Sequence, residues 1–373
     1  MQPREALNAA VVAGIVSADQ ADRLVVFLAP YLREEALEAA PTVPPLPMAP
    51  TLPADPDEEE VHFARGFQDV FMAIGVSILL VGLGIGLPMA IGPIGGLFGS
   101  ALIAWLLAEY FARARMLVLP SMVLAAGVTL FVAVGTGAVI TGEGWEQLES
   151  TAGDWSGMRG LLSVALAGLF AALIFFARFR LPFALLLVAA AATASALLAL
   201  EIARPGFVNL FWLPVMLAAG LLSFLAAMAF DISDPMRRTL RSDDAFWLHL
   251  FAAPLIVHAV ISLLVGPGES TFSGDEAGVV IAVVLGLALV ALVIDRRALL
   301  VSGLSYLGFA IGALMQQSQL STTGLAAATL ILLGAFVVAL GAGWKPARAL
   351  LIGWLPPDGI ARYLPPVRRP AVA

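Results

Sequence analysis

The stretch Phe176-Ala-Arg-Phe-Arg180 joins two long apolar runs, one ending at Phe176 and the next beginning at Leu181. A basic turn between two such runs reads as a tight cytoplasmic hairpin between membrane helices, because Arg and Lys collect in short cytoplasmic loops. The same device recurs at Phe111-Ala-Arg-Ala-Arg115 and, more loosely, at Asp295-Arg-Arg297. A spanning helix needs about 20 apolar residues. Such runs fall near 69–89, 94–111, 117–140, 160–177, 181–200, 210–230, 246–266, 278–294, 298–315 and 325–343. The expected fold is an all-α, polytopic membrane bundle of ten helices.

Charge tests that number. With the N-terminus inside, 18 of the 20 Arg and Lys residues lie in inner segments, and only Arg159 and Arg204 lie outside. One helix more or fewer would carry every later loop to the other side and spoil the pattern. Both termini are therefore placed in the cytoplasm, with Arg113, Arg115, Arg178, Arg180, Arg296 and Arg297 as the topology-determining turns. Trp145, Trp155, Trp212, Trp247 and Trp344 fall at or just beyond helix ends, where interfacial aromatic belts form.

Composition points the same way. Hydrophobic residues make up 60% and charged residues 13%, and mean hydropathy is +0.95. A soluble domain carries about 25% charged residues, so lipid is the solvent for most of this chain. The absence of Cys excludes disulfides, thiolate nucleophiles and thiol metal sites. The net charge of −7 comes from an acidic N-terminal tail and acidic outer loops, so it does not call for a basic partner. No signal peptide is expected, because Met1 is not followed by an apolar h-region.

Residues 1–40 read as a small soluble helical hairpin. One helix ends at Gly14, and Ser17-Ala-Asp-Gln20 caps the next. Its acids Glu5, Asp19, Asp22, Glu34, Glu35 and Glu38 outnumber Arg4, Arg23 and Arg33, the wrong balance for phosphate. Nucleic acid is excluded on that ground, and docking of a cytoplasmic protein partner is the better reading. Residues 41–68 form a Pro-rich acidic linker, with seven Pro between 41 and 56 and then Asp57-Glu-Glu-Glu60. After the membrane domain at 69–343, residues 344–373 read as an interfacial segment and a basic Pro-rich tail near anionic headgroups.

Helices 2–9 can be read as four hairpins turning inside, with helices 1 and 10 flanking. That pattern fits duplication of a hairpin, or the charge rule acting alone. Two inverted five-helix halves are a further possibility.

Ionisable groups at depth are scarce: Asp69, Glu109, Glu201 and Asp295 all fall at helix ends, which argues against a carboxylate-based ion pump. Helix 7 is the unusual span. Pro254 lies inside it and is expected to kink it. His258 follows four residues later, with Ser262 one turn further on the same face. A His inside a membrane is a functional hypothesis by default, set against a neutral His bonded to a neighbouring helix. Tyr306 and Gln316 of helix 9 complete the candidate substrate-binding set. His249 lies on the opposite face from His258, and His62 is in the tail, so no metal site is expected. No catalytic constellation and no cofactor are expected either. Gly82-Leu-Gly-Ile-Gly86, Gly95-Gly-Leu-Phe-Gly99 and Gly308-Phe-Ala-Ile-Gly312 read as close-packing surfaces.

Gly14-Ile-Val-Ser-Ala-Asp-Gln-Ala21 resembles a signature, roughly Gly-Ile-Ile-Ser-x-Glu-Gln-Ala, that precedes the helices in an uncharacterised family of predicted bacterial multipass membrane proteins. Val16 and Asp19 depart from it conservatively. The resemblance implies a bacterial cytoplasmic (inner) membrane setting. Two functions remain open. One is a transporter or flippase for a neutral or lipid-like molecule, with its pathway near helices 7 and 9. The other is a non-transporting scaffold or assembly factor that docks a partner through residues 1–40.

Overall fold

The computed structural model describes residue 17 and residues 67–142, 155–266, 274–316, 321–354 and 363–365. The chain divides into two units, Met1–Asp55 and Pro56–Ala373, and all the helices described belong to the second. Nearly all of the expected N-terminal hairpin and of the linker, most of both acidic loops, His62 and most of the basic tail lie outside the described residues.

Among the described residues ten α-helices follow in order: α1 (Phe67–Ile91), α2 (Pro93–Ala108), α3 (Val118–Thr141), α4 (Trp155–Phe179), α5 (Phe183–Ala203), α6 (Phe207–Ser233), α7 (Arg241–Val265), α8 (Gly274–Ile294), α9 (Ala298–Gln316) and α10 (Thr322–Ile352). A π-helical segment, Glu109–Ala114, extends α2. There is no strand among the described residues. All ten, α2 with its extension, are long and apolar enough to cross a bilayer. Large side chains such as Ile78, Leu222 and Leu330 are about two-thirds exposed along them. Only lipid covers such a surface without cost, so the chain is a multipass α-helical membrane protein. In lipid, helix association rests on close packing and hydrogen bonds, and small residues favour it. Ala104, Ala108, Ala125, Ala172 and Ala184 are accordingly fully buried between α2, α3, α4 and α5, where Leu124 and Phe175 fill the remaining space.

The turns alternate in kind. At one end the chain reverses through left-handed Gly92, Gly142, Gly206 and Gly266. At the other it reverses through left-handed Met116, Arg180, Arg237 and Asp295. The bundle thus has a glycine end and an arginine end. A non-Gly residue in this conformation costs roughly 1–2 kcal/mol, so the arginine-end turns need compensation from their side chains. At Asp295 the reversal is a Schellman motif, with the Arg296 N–H bonded to the Ala291 carbonyl at 2.9 Å.

Helix contacts repeat with a step of four. Within α1–α5 the touching pairs are α1–α2, α1–α3, α2–α3, α3–α4, α3–α5 and α4–α5. Adding four to each number gives α5–α6, α5–α7, α6–α7, α7–α8, α7–α9 and α8–α9, and each of these pairs also touches. A step of five fails, because α6 and α8 make no contact comparable to α1–α3. A step of two hairpins preserves direction across the membrane, so the repeat is parallel.

The boundaries shift where buried polar contacts extend a helix. α6 runs past residue 230 to Ser233, and α7 begins at Arg241. α10 continues through Pro346 to Ile352, so the apolar piece that starts at Ala347 prolongs the last span. α7 is continuous through Pro254.

Candidate functional site

Two polar clusters stand out from the apolar bundle. The first lies in the half nearer the glycine end. His258 sits seven residues before the last residue of α7, about 10 Å along the axis. Its Nδ1 is hydrogen-bonded to the Tyr306 hydroxyl of α9. The Trp212 ring of α6 packs against the imidazole at 5.4 Å between centroids. Three helices thus bring an imidazole, a phenol and an indole together, each half-buried. Of the residues singled out from sequence, His258 and Tyr306 meet. Ser262 is buried one turn along α7 and is not their hydrogen-bond partner. Pro254 is exposed on the helix surface. Gln316 ends α9, and its side chain lies outside the described residues.

The second cluster is charged and sits at the arginine end. Asp231, near the end of α6, accepts from Arg296 Nε at 3.1 Å and from Arg296 Nη2. It also accepts from His249 Nε2 of α7 at 3.0 Å. Arg296 Nη2 further donates to the Ser242 carbonyl at 3.0 Å and to its hydroxyl at 3.2 Å. Arg296 is 1% exposed and His249 is wholly buried. The neighbouring Asp295 faces a different set. Arg237 Nη1 donates to its carboxylate at 3.1 Å, Trp344 Nε1 donates at 2.7 Å, and Arg348 Nε lies 3.6 Å away. Arg348 Nη2 donates to the Pro365 carbonyl at 2.5 Å. Arg297 lies over the Trp344 ring, 5.2 Å from its centroid. The single Asp295–Arg296 step therefore ties the α8–α9 turn to α6, α7 and α10 at once.

Asp234 braces the segment between α6 and α7. It accepts from the Thr239 hydroxyl at 2.7 Å, the Thr239 N–H at 2.8 Å and the Arg238 N–H at 3.2 Å. Burial pushes its carboxyl up, but these donors, with the Arg241 charge, outweigh burial and hold it below the usual carboxylate range.

The first half of the repeat carries an exposed counterpart. Glu109, after α2, accepts from Arg178 of α4 through Nε at 2.9 Å and Nη2 at 3.0 Å. Arg113 adds a third contact at 3.3 Å. Moving four helices on from α2 and α4 leads to Asp231 of α6 and to Arg296 after α8. Each half thus clamps the acid that ends its first hairpin's leading helix with an Arg at the end of the next hairpin's leading helix. Arg115 and Arg180 instead lie over Tyr110 and Phe176.

No family model, curated protein or solved structure matches this chain. Functional reading rests on the two clusters themselves. The charged one keeps its acids at helix ends, as the sequence places them, and adds a convergence of Asp231, Arg296 and His249 that the sequence reading did not name. His249, set aside for facing away from His258, is the centre of its own site. The sequence signal was there in outline: an acid, an Arg and a His all fall near one end of neighbouring spans. Their pairing across 65 and 18 residues is tertiary.

Replacing Trp344 by Phe tests the link to α10. It keeps a ring under Arg297 and removes the only side-chain N–H that Trp344 gives to Asp295. Hydrogen bonds to charged groups contribute about 1.5–3 kcal/mol. Thermal unfolding in detergent should show a loss of that order, and an unchanged midpoint would mean the bond carries no net stability.

Proposed function

We propose that this protein is a transporter or flippase for a neutral or lipid-like molecule, with its pathway between α6, α7 and α9 and its arginine end in the cytoplasm. The observation that carries this reading is the His258–Tyr306–Trp212 cluster. Hydrogen-bonding groups from three helices meet among apolar side chains, two-thirds of the way along α7 from its Arg241 end. Ionisable or polar groups at such a depth are costly and mark pathways by default. The clustered buried cations, Arg237, Arg296 and Arg348, are held by the network at the other end, which favours an uncharged cargo. Sidedness follows from the arginine turns.

Thiol accessibility tests the pathway in native membranes, and the chain has no Cys to remove first. Single variants His258→Cys and Tyr306→Cys should react with a membrane-impermeant thiol reagent, as should an outer-loop control at position 272. Labelling at 258 and 306 supports a water-reachable pathway. Silence at both, with the control labelled, overturns it and leaves the scaffold reading.

A further inference from the structure

The hydrogen-bonding arithmetic of the His258–Tyr306 pair narrows the cargo, and this step rests on the pathway reading above. An imidazole and a phenol bonded to each other can be arranged in two ways. If the Tyr306 hydroxyl donates to Nδ1, the pair is left with the Nε2–H as donor and the phenol oxygen as acceptor. If Nδ1–H donates instead, the phenol O–H is left as donor and Nε2 as acceptor. Either tautomer leaves one donor and one acceptor open. Among the described residues nothing else bonds to either side chain, and both are half-buried, not sealed.

In hydrocarbon an unfilled donor or acceptor is costly, so the cluster favours a group that fills both. A carboxylate or phosphate offers mainly acceptors and brings a charge. The nearest buried cation along α9 is Arg296, ten residues before Tyr306, about 15 Å away and already bound to Asp231. An ester or ketone carbonyl fills only the donor. A hydroxyl fills both in either tautomer. The Trp212 ring adds a flat apolar wall beside the imidazole. We infer that the α6–α7–α9 cluster is a binding site for a neutral lipid alcohol, a single hydroxyl on a hydrocarbon body.

Photocrosslinking of the full chain in lipid nanodiscs tests this. Three probes carry the same diazirine-bearing chain: hexadecanol, hexadecanoic acid and a phosphatidylcholine. The alcohol should label peptides around Trp212, His258 and Tyr306 about fivefold more than the other two, the factor carried by about one net hydrogen bond. Unlabelled hexadecanol should compete. Tyr306→Phe keeps the ring and should abolish the preference, as should His258→Phe, while labelling elsewhere stays constant. Equal labelling by the three probes, a preference unchanged in Tyr306→Phe, or no competition (a site filled by water only) would each overturn the inference. The two readings fail separately. Alcohol preference without thiol accessibility at 258 and 306 makes this a lipid-alcohol site in a non-transporting protein. Accessibility without alcohol preference leaves a pathway for another molecule.

Discussion

Arg296→Ala should be among the most damaging single substitutions in this protein, costing about 3–5 kcal/mol, the usual consequence of removing one partner of a buried ion pair. The reason lies in what remains. Asp231 keeps only the His249 N–H, its carboxylate stays buried between α6 and α7, and Ser242 loses two bonds. The same arithmetic makes the companion experiment informative. Asp231→Asn with Arg296→Met removes both charges and fills much of the volume, and Asn still accepts from His249. Buried pairs replaced by well-packed neutral groups are often neutral or stabilising, so the double variant should recover most of the loss. Arg178→Ala is the internal control. It breaks the equivalent clamp of the first half, but Arg178 and Glu109 side chains are 41% and 30% exposed. Exposed pairs contribute roughly 0.2–1 kcal/mol, so its effect should be small. Thermal unfolding of the four proteins in one detergent measures all of this. Similar losses for Arg178→Ala and Arg296→Ala would show that burial does not set the strength of the two clamps.

That contrast explains what could and could not be read from the chain. The ten helices were legible because apolar run length and Arg placement are local properties, and the bounds moved by only a few residues at most ends. Arg178 and Arg296 both satisfy the positive-inside rule, and nothing local separates a solvated turn Arg from a buried clamp. The separation depends on what stands opposite. Glu109 reads from sequence as an i, i+4 partner of Arg113, and that contact exists at 3.3 Å. The shorter, two-pronged bond goes to Arg178, 69 residues on. Asp231 was lost to a boundary, since a span ending at 230 puts it in a loop, whereas α6 continues to Ser233 because Asp231 is paired there. At the other cluster the sequence supplied His258 and Tyr306 but set Trp212 apart as interfacial. Its ring contact with His258 joins residues 46 positions apart on antiparallel helices.

The glycines give the second large effect, and they divide where sequence treats them alike. Gly82, Gly84, Gly86 and Gly96 all read as packing residues, yet a Cβ at Gly82 or Gly86 meets nothing within 4 Å. At Gly84 it would strike the Phe131 ring, and at Gly96 it would fall 2.2 Å from Pro88 N and 2.5 Å from the Leu87 carbonyl carbon. A ring can turn aside, but the backbone of α1 cannot. Ser100, one turn after Gly96, sits in the same close approach, its single hydroxyl proton set between the Leu83 carbonyl at 2.9 Å and the Gly96 carbonyl of its own helix at 2.8 Å. Pro88 has no N–H to give the Gly84 carbonyl, and the Ser100 contact falls on the carbonyl next to it, that of Leu83. Overpacking a tight site costs typically 1–3 kcal/mol. Gly96→Val should exceed that range, because relief requires parting α1 from α2 and losing the Ser100 contact to Leu83. Gly82→Ala and Gly86→Ala should be neutral or stabilising by up to about 1 kcal/mol, the helix propensity difference. Yield of monodisperse protein and thermal midpoint, compared across the three variants, decide the point. A Gly96→Val protein as stable as Gly82→Ala would mean that α1 is not held against α2 as closely as Pro88 and Gly96 place it.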